Sequence, residues 1–193
     1  MPTDGAKDLL AKGLEVVGAH QRGATVAAAH SGRIQEAVHG LFARGLRHVY
    51  AAHHQGAGQA AENRELASMP ELKAALAKGV QENMQQAERL ERVFRLAGHA
   101  VEGTPDQAMQ GIISDNKAAN AETTDPVARD QQLIASGQLA AHYYLAHYGT
   151  LRSYAQTLGN GDAADLLQET LDETVRVDEG FTVLAHHLLV ASA

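Results

Sequence analysis

The 193-residue sequence contains no cysteine and no tryptophan. Without cysteine there is no disulfide, no thiolate ligand for a metal and no cysteine nucleophile. Aromatic residues make up only 4% of the chain, and there are four prolines. That scarcity, beside abundant alanine, favours helices packed closely on small side chains. No apolar run approaches the roughly 20 residues needed to span a bilayer, and no secretory pattern opens the chain. Basic residues are outnumbered, 16 Lys and Arg against 23 Asp and Glu, for a net charge of −7. An extended basic face for nucleic acid is therefore not expected, nor is a membrane partner. The length suits one domain with a substantial core, in a soluble cytoplasmic protein. The unusual abundance is histidine, at eleven residues.

Taken in order, residues 1–34 read as a helical N-terminal extension. Thr3 or Asp4 is a candidate N-cap, Leu9, Leu10, Leu14 and Val17 form an apolar stripe, and Gly23 and Ser31-Gly32 are candidate breaks. Residues 35–193 carry four long helical patterns. In the first, Val38, Phe42, Leu46, Val49 and His53 share a face, which points His53 inward. Gly56 and Gly58 follow, each costing about 1 kcal/mol relative to alanine in a helix. They suit either a close helix–helix approach or the wall of a pocket.

Ser68-Met-Pro-Glu71 reads as a capping box that starts the second helix, which ends before Gly98. Its interior stripe passes Gly79 and carries Glu82, Asn83 and Gln86 at mid-helix. Buried polar groups need partners, so this cluster implies a network, a metal or a ligand. The run Glu88-Arg-Leu-Glu-Arg92 reads as a solvated face. A short helix through Met109, Ile112 and Ile113 occupies the connection to the third long helix, which starts at Thr124-Asp125-Pro126. The third helix aligns Ala141, Tyr144, Tyr148 and Leu151, and the fourth aligns Leu166, Thr170, Glu173 and Val177. Short links within each pair and a longer link between pairs predict two antiparallel hairpins closed into a four-helix bundle.

Several of these segments resemble a known family. Gly40-Leu-Phe-Ala-Arg-Gly-Leu-Arg-His-Val-Tyr-Ala-Ala-His53, Pro70-Glu-Leu-Lys-Ala74, Glu88-Arg-Leu-Glu-Arg-Val-Phe94, Tyr148-Gly-Thr-Leu151 and Leu166-Leu-Gln-Glu-Thr-Leu-Asp-Glu173 are similar, in order, to the YciE/YciF-like ferritin-like proteins. The resemblance implies an all-α ferritin-like four-helix bundle, a homodimer, and an interior carboxylate–histidine cluster suited to two metal ions. This chain departs from that cluster. His53 stands where the family has a glutamate, Gly79 where it has a histidine, and Ala141 and Tyr144 where it has two glutamates. Glu82 and Glu173 are retained, with Glu169 and Asp172 nearby. His53, Glu82 and Glu173 carry too little anionic charge for two divalent cations, so a dimetal centre is not expected.

The replacements remove bulk and leave chemically diverse groups, which points to a ligand-sized pocket inside the bundle. One expectation is metal-independent acid–base catalysis of elimination or ring-closure type, or binding of a small polar or anionic molecule. In it His53 is the general base, Glu173 or Glu82 orients it, and Tyr144 donates a proton or hydrogen bond. His54, Asn83, Gln86, His142 and His147 are candidate substrate-binding residues. A second expectation retains one divalent ion (Fe, Mn or Zn) on His53, Glu82 and Glu173. A third is a non-catalytic bundle that acts through a partner, as a homodimer or in a heteromeric complex. In that case the mid-bundle histidine is simply a hydrogen-bonded core residue.

Overall fold

The computed structural model describes residues 4–191, with side chains described over 31–190. The chain divides into two compact units, Met1–Gly40 and Leu41–Ala193. The described residues form five helices: α1 (Asp4–Leu66), α2 (Pro70–Leu96), α3 (Gln107–Glu122), α4 (Pro126–Thr157) and α5 (Gly161–Ala191). Within the first unit the expected breaks at Gly23 and Ser31-Gly32 are absent, and the helix continues through both. Their alanine-rich flanks are strong helix formers, enough to carry isolated glycines. Thr3 and the side chains of Leu9, Leu10, Leu14 and Val17 lie outside the described residues.

Side-chain pairs fix the direction of each helix in the second unit. His53 meets Asn83 and Tyr50 meets Glu91, so α1 and α2 run antiparallel. Gln131 reaches Ala185 and Gln138 reaches Thr182, so α4 and α5 do likewise. Gly56 faces Tyr144 and Gly45 faces Leu151, which sets α4 antiparallel to α1 and hence parallel to α2. Two parallel helices joined in sequence need a connection as long as the bundle. Residues 97–125, with α3 inside them, make that crossing.

The start of α2 differs from the expected capping box. Met69 is the N-cap and makes no side-chain cap bond. The Ser68 amide and hydroxyl and the Met69 amide all donate to the buried Asp130 carboxylate, at 2.6–2.8 Å. A carboxylate accepts more strongly than a hydroxyl, so Asp130 outcompetes the local cap and ties the start of α4 to the start of α2. At the starts of α3 and α4 side chains do cap, with Asp106 accepting from the Met109 amide and Asp125 from the Ala128 amide.

The apolar core comes in two parts. One gathers Phe42, Leu46, Val49, Leu90, Phe94, Tyr148, Leu151 and Leu167. The other gathers Ala67, Leu72, Leu76, Leu133, Ile134 and Leu188. Between them lie the polar and small residues on which the functional question turns. Among the described residues no helix is long and apolar enough to cross a membrane.

Candidate functional site

His53 is fully buried and both of its ring nitrogens are engaged. Asn83 Nδ2 donates to the Gly79 carbonyl at 2.8 Å, which leaves Asn83 Oδ1 as an acceptor. His53 Nδ1 lies 2.9 Å from that oxygen and must carry the proton. Nε2 is then bare and accepts from the Tyr148 hydroxyl at 2.6 Å. Tyr144 lies parallel to the imidazole, with ring centres 4.4 Å apart and 3° between planes. Its hydroxyl is shared between the Ala52 carbonyl at 2.9 Å and Asn83 Oδ1 at 3.1 Å. The glycine at 56 makes room for this arrangement. A Cβ there would sit 2.7 Å from the Tyr144 hydroxyl and 3.1 Å from Asn83 Oδ1.

The network extends across the bundle to α2 and α5. Thr170 hydrogen-bonds the Tyr148 hydroxyl, and Arg89 Nη1 donates to Thr170 Oγ1 at 2.8 Å. Both Arg89 terminal nitrogens also reach Glu173, each at 2.8 Å, in a two-point clamp. Gln86 adds a bond to Glu173 at 3.1 Å, and Glu169 takes a further Arg89 contact at 2.8 Å. Arg89 was expected on a solvated face, but its side chain is only 13% exposed. It lies three residues beyond Gln86 on the inward stripe, and that spacing was the available signal. On α5 the inward residues are Leu167, Thr170 and Thr174, while Glu173 stands at the edge of the stripe.

Burial governs the protonation of these groups. It lowers the His53 pKa to about 4; the Asn83 bond works in the opposite direction, while nearby His54 and Arg89 add to the lowering. Burial raises the phenols of Tyr144 and Tyr148 well above the ordinary tyrosine range. Burial alone would also raise Glu173, but hydrogen bonds from Arg89 and Gln86 and the Arg89 charge hold it below the usual carboxylate range. The interior therefore holds a neutral imidazole, two neutral phenols and one ion pair.

Beside the network, a cavity of about 490 Å³ opens between the two parts of the core. Its walls are largely small or apolar: Gly56, Ala60, Gly79, Gly137, Ala141 and Phe181 are among them. Glu82, Asn83, Gln86 and Tyr144 contribute its polar surface. A Cβ added at Gly79 would have no neighbour within 4 Å, so the missing side chain there is open space. At Gly137, by contrast, the Phe181 ring fills the position, 2.5 Å from where a Cβ would sit.

The three histidine candidates lie away from this cavity. His54 is exposed and packs edge-on against Tyr50. His142 is 66% exposed and faces Asp178 at 3.4 Å. His147 packs against Tyr143, with ring centres 4.3 Å apart. Glu82 pairs with Lys78 at 2.7 Å. The expected ligand trio for one metal is not assembled. His53 has no free nitrogen, Glu173 is clamped by a guanidinium, and Glu82 is held by a lysine. Among the described residues no group of three or more histidine or acidic side chains is arranged to hold a metal ion. The donor set does not fit a metal centre.

Comparison with known proteins agrees with the geometry of the bundle. Residues 37–193 match the family described as Domain of unknown function (DUF892). The chain is 32% identical to Protein YciF of Escherichia coli (strain K12) over 146 residues, covering 75% of this chain and 88% of that protein. It is also similar to the crystal structure of the E. coli stress protein YciF, with a TM-score of 0.75 and 31% identity over 79% of this chain and 96% of that one. YcfI from Rhodopseudomonas palustris matches with a TM-score of 0.72 and 30% identity, over 74% of this chain and 90% of that one. With a family match across most of its length, and a ferritin-like arrangement of its helices, this chain belongs to the YciF-like DUF892 family.

Proposed function

We propose that this protein binds one small, mainly apolar molecule inside its bundle. The observation that carries the reading is the cavity of about 490 Å³ walled by glycine and alanine from α1, α2, α4 and α5. The cavity opens to the surface past the exposed Glu71, Lys78 and Val183, so its apolar walls stay hydrated until an occupant covers them. The polar end of that occupant would meet Asn83, one of whose amide hydrogens is not used by the Gly79 carbonyl, together with Gln86. The E. coli relative is described as a stress protein, and we place this binding in a comparable setting.

Acid–base catalysis draws support from the hydrogen-bond chain that runs from Arg89 through Thr170 and Tyr148 to His53. The binding reading is the better supported. A base of pKa about 4 with both nitrogens occupied is poorly matched to proton abstraction near neutral pH.

The reading is tested by fluorescence titration with N-phenyl-1-naphthylamine, a neutral probe that brightens in apolar surroundings. Saturable binding near one equivalent supports it, provided that Ala141→Leu, which fills the cavity, removes the signal. Binding that is unchanged in the filled variant would overturn it.

A further inference from the structure

A second depression of about 450 Å³ lies between α1 and α3, bordered by polar side chains that include Gln55, Glu62, Gln110, Ser114 and Lys117. It is adjacent to the inner cavity, because Gln59 and Ile113 border both. Gln59 is an unusual choice for such a partition. It is 9% exposed, and its Oε1 is buried with no hydrogen-bond partner. Its side chain is held by one bond, from Nε2 to Asn63 Oδ1 at 2.7 Å. That acceptor is not left empty if Gln59 leaves, since Asn116 Nδ2 also donates to it at 2.9 Å.

An unsatisfied buried carbonyl normally carries a desolvation penalty, and a native structure that retains one invites an explanation. Swinging Gln59 toward the depression exchanges one hydrogen bond for hydration of the orphaned oxygen. The partition is therefore inexpensive to open. The adjoining turn adds room, since nothing lies within 4 Å of a Cβ placed at Gly58.

We infer that the two spaces are chambers of one site, and that Gln59 and Ile113 set the length of a single-chain amphiphile that the site accepts. The apolar chain occupies the inner chamber and the head reaches the polar one. The head is neutral, because Lys117 and Glu62, both bordering the outer chamber and 2.8 Å apart, offset each other's charge. This inference rests on the binding reading above and adds ligand class and length selection to it.

A series of 1-alkanols from hexanol to tetradecanol, competing with N-phenyl-1-naphthylamine, tests it. In the unmodified protein, affinity should rise about fourfold per methylene until the inner chamber is full, then level off. Ile113→Ala and Gln59→Ala should each move that limit longer by two or more carbons. Ile113→Trp should shorten it, which guards against a result caused by loosened folding alone. Gln168→Ala, which borders neither space, should leave it unchanged. If alkanols bind but the limit is the same in all four variants, the partition inference falls and the binding reading stands. If neither the probe nor any alkanol binds, both fall.

Discussion

The imidazole of His53 and the phenol of Tyr144 stack face to face, 4.4 Å between centres and 3° from parallel, and both hydrogen-bond the same oxygen of Asn83. In this pair the third long helix meets the first, next to an empty space that neither ring fills. The pair is tightly specified, and the cavity beside it is not packed. That contrast yields opposite expectations for neighbouring glycines.

Gly56→Ala should destabilise the protein by about 1–3 kcal/mol, because the added methyl collides with the Tyr144 hydroxyl and crowds Asn83. Gly79→Ala should stabilise it by about 0.5–1 kcal/mol, since the methyl enters open space and alanine is the better helix former. Urea unfolding of the two variants beside the parent measures both signs. Equal effects would mean that the network is looser than its distances imply.

Removing the Tyr148 hydroxyl isolates the other face of His53. Tyr148→Phe leaves Nε2 buried and unpaired, and should cost about 1–3 kcal/mol. Nitrogen NMR of labelled histidine gives a second readout. The parent should show the Nδ1–H tautomer at neutral pH, and the variant should populate the other tautomer more. A parent in which Nε2 carries the proton would contradict the assigned direction of the hydrogen bonds.

The His53 pKa is about 4, below the ordinary histidine value of 6.5. The unfolded chain therefore takes up a proton between those values that the folded protein refuses. The stability linked to His53 is complete above about pH 6.5, and is lost as pH falls toward 4, with a slope approaching about 1.4 kcal/mol per unit. Glu173, with a lowered pKa, contributes in a more acidic window, below its ordinary value of 4.5. His53→Phe should be less stable overall yet show a flatter profile from pH 6.5 to 4.5. Unfolding free energies measured across that range decide it; parallel profiles in parent and variant would remove His53 as the source.

Glu173 was the surviving acidic position with the strongest resemblance to a metal ligand, yet it is held by Arg89 away from the cavity lining. Glu173→Gln should lower stability by about 0.5–2 kcal/mol through loss of the clamp, with the partly exposed geometry keeping the effect modest. Its affinity for N-phenyl-1-naphthylamine should stay within about twofold of the parent, because no direct contact is removed. A tenfold loss of affinity with stability intact would place Glu173 in the binding machinery after all.

Helical periodicity made the bundle legible. It also put His53, Tyr144 and the missing side chains at Gly56 and Gly79 on interior faces, where the structure has them. What it missed depended on partners distant in sequence. Ser68 looked like a cap because Glu71 follows it, but Asp130 takes its donors from another helix. Arg89 looked solvated because its neighbours are charged, whereas its partners lie on α5. On α5 the buried stripe runs through Leu167, Thr170 and Thr174 and so shares only Thr170 with the stripe read from the sequence. Thr174 is buried with its hydroxyl satisfied by the Thr170 carbonyl one turn earlier at 2.8 Å. Gln59 carried no sequence signal at all, since its orphaned oxygen follows only from where α3 lies.

The central claim is that the space beside His53 and Tyr144 receives a ligand. The most direct measurement is the titration of N-phenyl-1-naphthylamine against the parent and against Gly79→Leu, whose side chain would project into the open part of the cavity. The account predicts one saturable site in the parent, lost in the variant while its thermal stability is maintained or raised. A variant that is equally stable and binds the probe as well as the parent does would contradict it.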